Sequence, residues 1–142
     1  MKKYLNISLF YAIAAMIGGV FYREFTKWNG YDGVTVLGKV HTHLFMMGMM
    51  VFLMAALFAE HYELQKQKTF RIFMPVYNIG LAVTVVMMVV RGIAQVLNIS
   101  LSSAANASIS GIAGIGHILT GVGIILFLVS LKKAVGNRVN SN

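Results

Sequence analysis

The chain has 142 residues, 58% of them hydrophobic and only 11% charged, with a mean hydropathy of +0.74. Soluble domains carry about 25% charged residues, so a soluble globule is excluded. Cysteine is absent, which removes disulfides, thiolate metal sites, iron–sulfur clusters, covalently attached haem and cysteine nucleophiles. The net charge of +8 comes from basic residues beside apolar runs, a placement that reads as membrane orientation and not as nucleic-acid binding.

A bilayer core takes about 20 apolar residues as helix, and four segments meet that length. The first span is expected at residues 5–22. Its opening, Met1-Lys2-Lys3 and then an apolar run, resembles a signal peptide. The run continues through Gly18, Gly19 and Val20 without a small-residue cleavage site, so a retained span is expected. Trp28-Asn29-Gly30-Tyr31-Asp32-Gly33 is a turn cluster. The second span is expected at 34–59, with Lys39 near its start, and a polar connection at 60–68 follows. The third, at 72–97, contains Arg91, and Pro75 is expected in its first turn, where a missing N–H costs little. A loop rich in Ser, Asn and Ala is expected at 98–108, an uncharged fourth span at 109–131, and a polar tail at 136–142. None of the four shows the alternation of an outer-membrane barrel strand. The expectation is an all-α integral membrane four-helix bundle, one domain over residues 1–142.

Lys and Arg set the direction. Lys2, Lys3, Lys66, Lys68, Arg71, Lys132, Lys133 and Arg138 fall on one side, and Arg23, Lys27, Lys39 and Arg91 on the other. The richer side is cytoplasmic by the positive-inside rule, which puts both termini in the cytoplasm and Tyr22, Trp28 and Tyr31 at the outer interface of a bacterial cytoplasmic membrane.

Ionisable groups at membrane depth are costly and are functional candidates by default. His61, beside Glu60 and Glu63, reads as a solvated interfacial residue. The other three histidines fall inside spans. At about 1.5 Å per residue, His41 and His43 lie roughly 10 and 13 Å below the outer end, His117 roughly 12 Å and Arg91 roughly 9 Å. Three imidazoles and a guanidinium from three helices are thus expected in one outer layer. His117 shares a helix face with Ser110, Ala113, Gly114, Thr120 and Gly121. His41 shares one with Phe45, Gly48 and Phe52, and His43 one with Met47, Met50 and Met54. His41 and His43 are about 200° apart on a regular helix and cannot both face one centre.

Histidines from two helices can clamp a haem iron, small residues make room for the flat macrocycle, and arginines neutralise its propionates. That reading assigns haem b, with His117 and His41 as axial ligands and His43 as substitute. Arg91 and Arg23 would meet the propionates, Gly114 and Gly121 would flank the ring, and Thr42 or Thr120 would support the ligands. Electron transfer, haem sensing or haem handling would follow, the first with a redox partner. Two rivals stand beside it. Met46, Met47, Met49, Met50 and Met54 with the histidines could bind or transport copper, and three histidines could hold zinc. Alternatively the layer is a cofactor-free polar network, with the glycines serving helix packing. Asn78 reads as a helix-to-helix hydrogen bond. No phosphate loop, nucleophile elbow or intramembrane carboxylate pair is present.

Val40-His41-Thr42-His43-Leu44-Phe45-Met46-Met47-Gly48 resembles the ligand-bearing helix of haem–copper oxidase and nitric oxide reductase catalytic subunits. There the first histidine of the stretch is an axial ligand of the low-spin haem, and His41 matches it. The chain lacks that superfamily's tyrosine–histidine crosslink motif and its copper-site histidines, so the resemblance does not extend to gas reduction. Phe21-Tyr22-Arg23-Glu24-Phe25, His41-Thr42-His43, Arg91-Gly92 and Gly111 to His117 resemble an uncharacterised family of small bacterial four-span membrane proteins. The oxidase-type subunits have three arcs of four helices, which implies by analogy a homo-oligomer, a trimer.

Overall fold

A computed structural model describes residues 1–139, with side chains through Asn137. All of its regular structure is helical. The four spans are α1 (Lys2–Trp28), α2 (Val36–Tyr62), α3 (Lys68–Val96) and α4 (Ser103–Val139). Each is long and apolar enough to cross a membrane, so the chain is a multi-pass membrane protein in a lipid bilayer. A backbone in hydrocarbon must satisfy its own hydrogen bonds, which selects helix for every span. Of the tail expected at 136–142, the helix includes residues as far as Val139. The last three residues, and the side chain of Arg138, lie outside the described residues.

The helices overrun the apolar stretches because capping chemistry, not hydropathy, ends them. After α1 the chain closes in a Schellman turn. Gly30 takes φ +57°, its N–H reaches the Lys27 carbonyl at 3.2 Å, and the Tyr31 N–H reaches Thr26 at 3.0 Å. Asn98, at φ +51°, closes α3 in the same way, with Ile99 N–H on Ala94 at 2.9 Å. The loop expected at 98–108 is already helix from Ser103. Ser102 Oγ accepts the Ala105 N–H at 3.1 Å, and alanines at 104, 105 and 107 favour helix. Likewise α3 begins at Lys68, so Pro75 is not in its first turn but about two turns inside. It stands on the exposed face near the helix start, where the carbonyl it leaves unpaired can meet water.

Consecutive helices form two hairpins, α1 with α2 and α3 with α4. Glycine sets the second hairpin. A Cβ on Gly80 would stand 2.5 Å from the Thr120 backbone nitrogen, one on Gly116 2.7 Å from Thr84 Oγ1, and one on Gly123 2.8 Å from Tyr77 Cβ. This is close small-residue packing, the substitute for the hydrophobic effect in lipid. The hairpins meet through aromatic rings in one half of the bundle. Phe52 stacks on Tyr11 with centroids 5.5 Å apart, and Phe73 lies 6.0 Å from Phe52 and 5.0 Å from Phe127.

The second span is not a uniform helix. Thr35 caps a short 3-10 turn over Val36–Lys39, then one α-helical turn bears His41 and His43. A π-helical stretch follows at Leu44–Met50, and α-helix resumes at Val51. Gly48 in the wide stretch lies against Tyr11, where a Cβ would stand 2.5 Å from the ring. Two carbonyls of the stretch accept bonds from other helices: Met47 from the Tyr77 hydroxyl at 2.7 Å and Met49 from the Ser8 hydroxyl at 2.8 Å. Tyr11 donates to Asn78 Oδ1 at 2.9 Å, so Asn78 makes the interhelical bond expected of it. These side chains take carbonyls that a regular ladder would hold, which is a known cause of helix irregularity.

Candidate functional site

Arg91 and His117 line one groove of about 350 Å³ on the surface of the α3/α4 hairpin, with Val36, Met87, Met88, Ser110, Ala113 and Gly114. The Arg91 Nη2 donates to Ser110 Oγ at 2.7 Å and to Asn106 Oδ1 at 3.2 Å. Both partners are neutral. The ion pairs among the described residues are Arg23 with Glu24 and Lys66 with Glu63, so the Arg91 guanidinium has no carboxylate beside it.

His117 is exposed on α4 and its Nδ1–H donates to the Ala113 carbonyl at 2.9 Å. This bond fixes the tautomer and leaves the Nε2 lone pair without a hydrogen bond, the arrangement that metal-bound histidines use. Gly116, next to it, packs against Thr84 near the midpoint of α3. His117 is therefore nearer mid-bundle than the outer layer expected from a helix start at residue 109. Ser110 lies seven residues above His117, which is about 10 Å along the axis.

The glycines of α4 divide between two faces. Gly116 and Gly123 are packed against α3, whereas Gly111, Gly114 and Gly121 have nothing within 4 Å of a built Cβ. Gly114 and Gly121 thus flank His117 on the open face, as their spacing requires, while Thr120 is buried and bonds the Gly116 carbonyl at 2.8 Å.

The other histidines lie elsewhere. His41 is partly buried with its ring over Gly19 of α1, where a Cβ would meet its Cβ and Cγ at 3.7 Å, and its Nδ1 is buried with no hydrogen bond. His43 Nδ1–H donates to the Lys39 carbonyl at 2.9 Å, and Thr42 bonds the same carbonyl at 2.8 Å. Neither His41 nor His43 is among the residues that line the Arg91–His117 groove. Arg23 is 82% exposed near the C-terminal end of α1, with Glu24 at 3.8 Å. His61 is exposed, as expected, and lines a polar groove with Tyr62, Glu63, Lys66 and Gln67. Met46, Met50 and Met54 point outward, while Met47 and Met49 pack on the core. Among the described residues no group of three or more His, Asp or Glu side chains is placed to hold a metal ion. The polar network around Met47 and Met49 was not signalled by the sequence beyond Asn78, because tyrosine and serine in an apolar run look like ordinary span residues.

The family model for DUF2871, described as a protein of unknown function, matches residues 1–134, and the chain belongs to that family. No curated protein and no solved structure matches the chain, those of haem–copper oxidases and nitric oxide reductases included.

Proposed function

We propose that this member of the DUF2871 family binds haem b in the membrane through His117, for electron transfer or for sensing or handling of haem. The observation that supports it is the single groove holding an imidazole with a free Nε2 lone pair and a guanidinium with no acidic partner. An iron on Nε2 would leave the propionates to reach Arg91, about two helical turns toward the outer end. Gly114 and Gly121 leave the helix surface flat on both sides of the ligand. The Lys and Arg distribution supports cytoplasmic termini in a bacterial plasma membrane.

The test is an absorption spectrum of the detergent-purified protein, after haem addition, oxidised and then reduced with dithionite. A Soret band in the parent chain and its loss in His117→Ala is the expected result. Full absorbance in His117→Ala would overturn the ligand, and no Soret band in the parent would overturn haem binding. Arg91→Gln should keep the Soret band and weaken haem retention during gel filtration.

A further inference from the structure

We infer that the groove is half of a site, and that a second copy of the chain supplies its other wall and the second axial histidine. This rests on the haem reading above. His117 faces outward, and the groove that it lines contains neither of the other intramembrane histidines. One copy therefore offers the iron one ligand and the macrocycle one face. The opposite face would meet lipid, as would a guanidinium without a counter-ion, and charged groups left to hydrocarbon are costly.

A two-fold axis removes both problems. In an isologous contact each residue meets the same surface on the other copy, so a His117 facing an iron near the axis is answered by the partner's His117. Two Arg91 guanidinium groups then match two propionates, and the charge closes within the pair. The surface permits the approach. Gly111, Gly114 and Gly121 present open space where side chains would hold another helix away. The same helix packs Gly116 and Gly123 against α3, so the outward set is not needed for the fold of one chain.

The test compares the holo-protein in detergent with a mixed dimer. Native mass spectrometry and haem assay of the parent chain should give one haem per two chains, with the sharp reduced bands of bis-histidine iron. Parent and His117→Ala chains are then co-expressed with different tags and purified through both. The mixed dimer should hold five-coordinate, high-spin haem, because one ligand is missing. A low-spin mixed dimer, or a monomeric parent chain with low-spin haem, would overturn the shared site and place the second ligand within one chain, while leaving haem binding intact. A parent chain that gives no Soret band after haem addition overturns both readings. Because the stoichiometry of the parent chain is decisive alone, a His117→Ala chain that fails to fold does not protect the proposal. A second variant, Gly114→Leu, fills open space in one chain and should lose both dimer and haem while the four spans stay folded.

Discussion

At the scale of single residues, the structure separates glycines that composition cannot tell apart. Gly80 and Gly121 both lie in apolar helix, yet one faces a neighbouring backbone at 2.5 Å and the other open space. Gly80→Ala should therefore destabilise the chain by about 1–3 kcal/mol through overpacking. Gly121→Ala meets no neighbour and should leave the haem-free chain at least as stable as the parent, since alanine is the better helix former. Thermal unfolding in detergent checks both. Tyr77→Phe removes the hydroxyl that meets the Met47 carbonyl and should cost about 0.6 kcal/mol, the average for interhelical hydrogen bonds in a membrane, and no more than about 1.7 kcal/mol. Equal unfolding temperatures for parent and variant would refute that. The residues of the candidate site were legible as types, since histidine and arginine stand out in hydrocarbon. Their grouping was legible in part, since helix periodicity puts His117 with Ser110, Ala113 and Gly114, which line the groove with Arg91, but the separation of His41 and His43 from that groove was not. Lipid is as apolar as leucine, so hydrophobicity gives no inward or outward sign for His117 or His41.

At the scale of elements, the four spans were legible because a bilayer dictates their length and apolar character. The turn cluster that ends α1 was legible from Gly30 and its neighbours, but the ends of the later helices were not, because Ser102 and Asn98 act through local bonds that a hydropathy window averages away. The π-helical stretch in α2 was also hidden, since its cause lies in Tyr77 and Ser8 on other helices. It has a measurable consequence. A Cβ on Gly19 stands 3.7 Å from His41 Cβ, within the spacing of a disulfide. The chain has no cysteine of its own, so the pair Gly19→Cys and His41→Cys should oxidise to a single crosslink. Deleting Met46 from the wide stretch should restore regular helix and turn the segment before it by about 100°. The crosslink should then fail. If it still forms with the same yield, the stretch does not set the direction of His41.

At the scale of the whole molecule, two hairpins share an interface built from many separated contacts. Tyr4 lies edge-on to Phe70 at 5.4 Å, Tyr11 reaches Asn78, and Thr35 donates to the Gly92 carbonyl at 3.2 Å. Val36 N–H meets Gln95 Oε1 at 2.9 Å. The connection between the hairpins is short, with Glu63 at φ +49° and a Glu63–Lys66 ion pair at 2.7 Å on its exposed side. Contacts spread along the helices do not depend on that link. Co-expressed halves divided within it should assemble and co-purify, and failure to co-purify would show that the connection holds the bundle together. Tyr11→Phe together with Tyr77→Phe should weaken the assembly of the halves more than either change alone.

The carbonyl of Met47 gives this architecture a history. It lies in the first hairpin and its partner hydroxyl in the second, so during synthesis it enters the membrane before Tyr77 exists. Until the third span arrives, the first hairpin is best served by a regular helix that keeps that oxygen for its own ladder. Ser8 can hold the Met49 carbonyl within the first hairpin, so the part of the wide turn at Met47 is the part that waits for α3 to dock. Hydrogen exchange on a chain ending after the second span, which keeps Ser8 but lacks Tyr77, should show stronger protection of the amide that the Met47 carbonyl takes in a regular ladder than the full chain does.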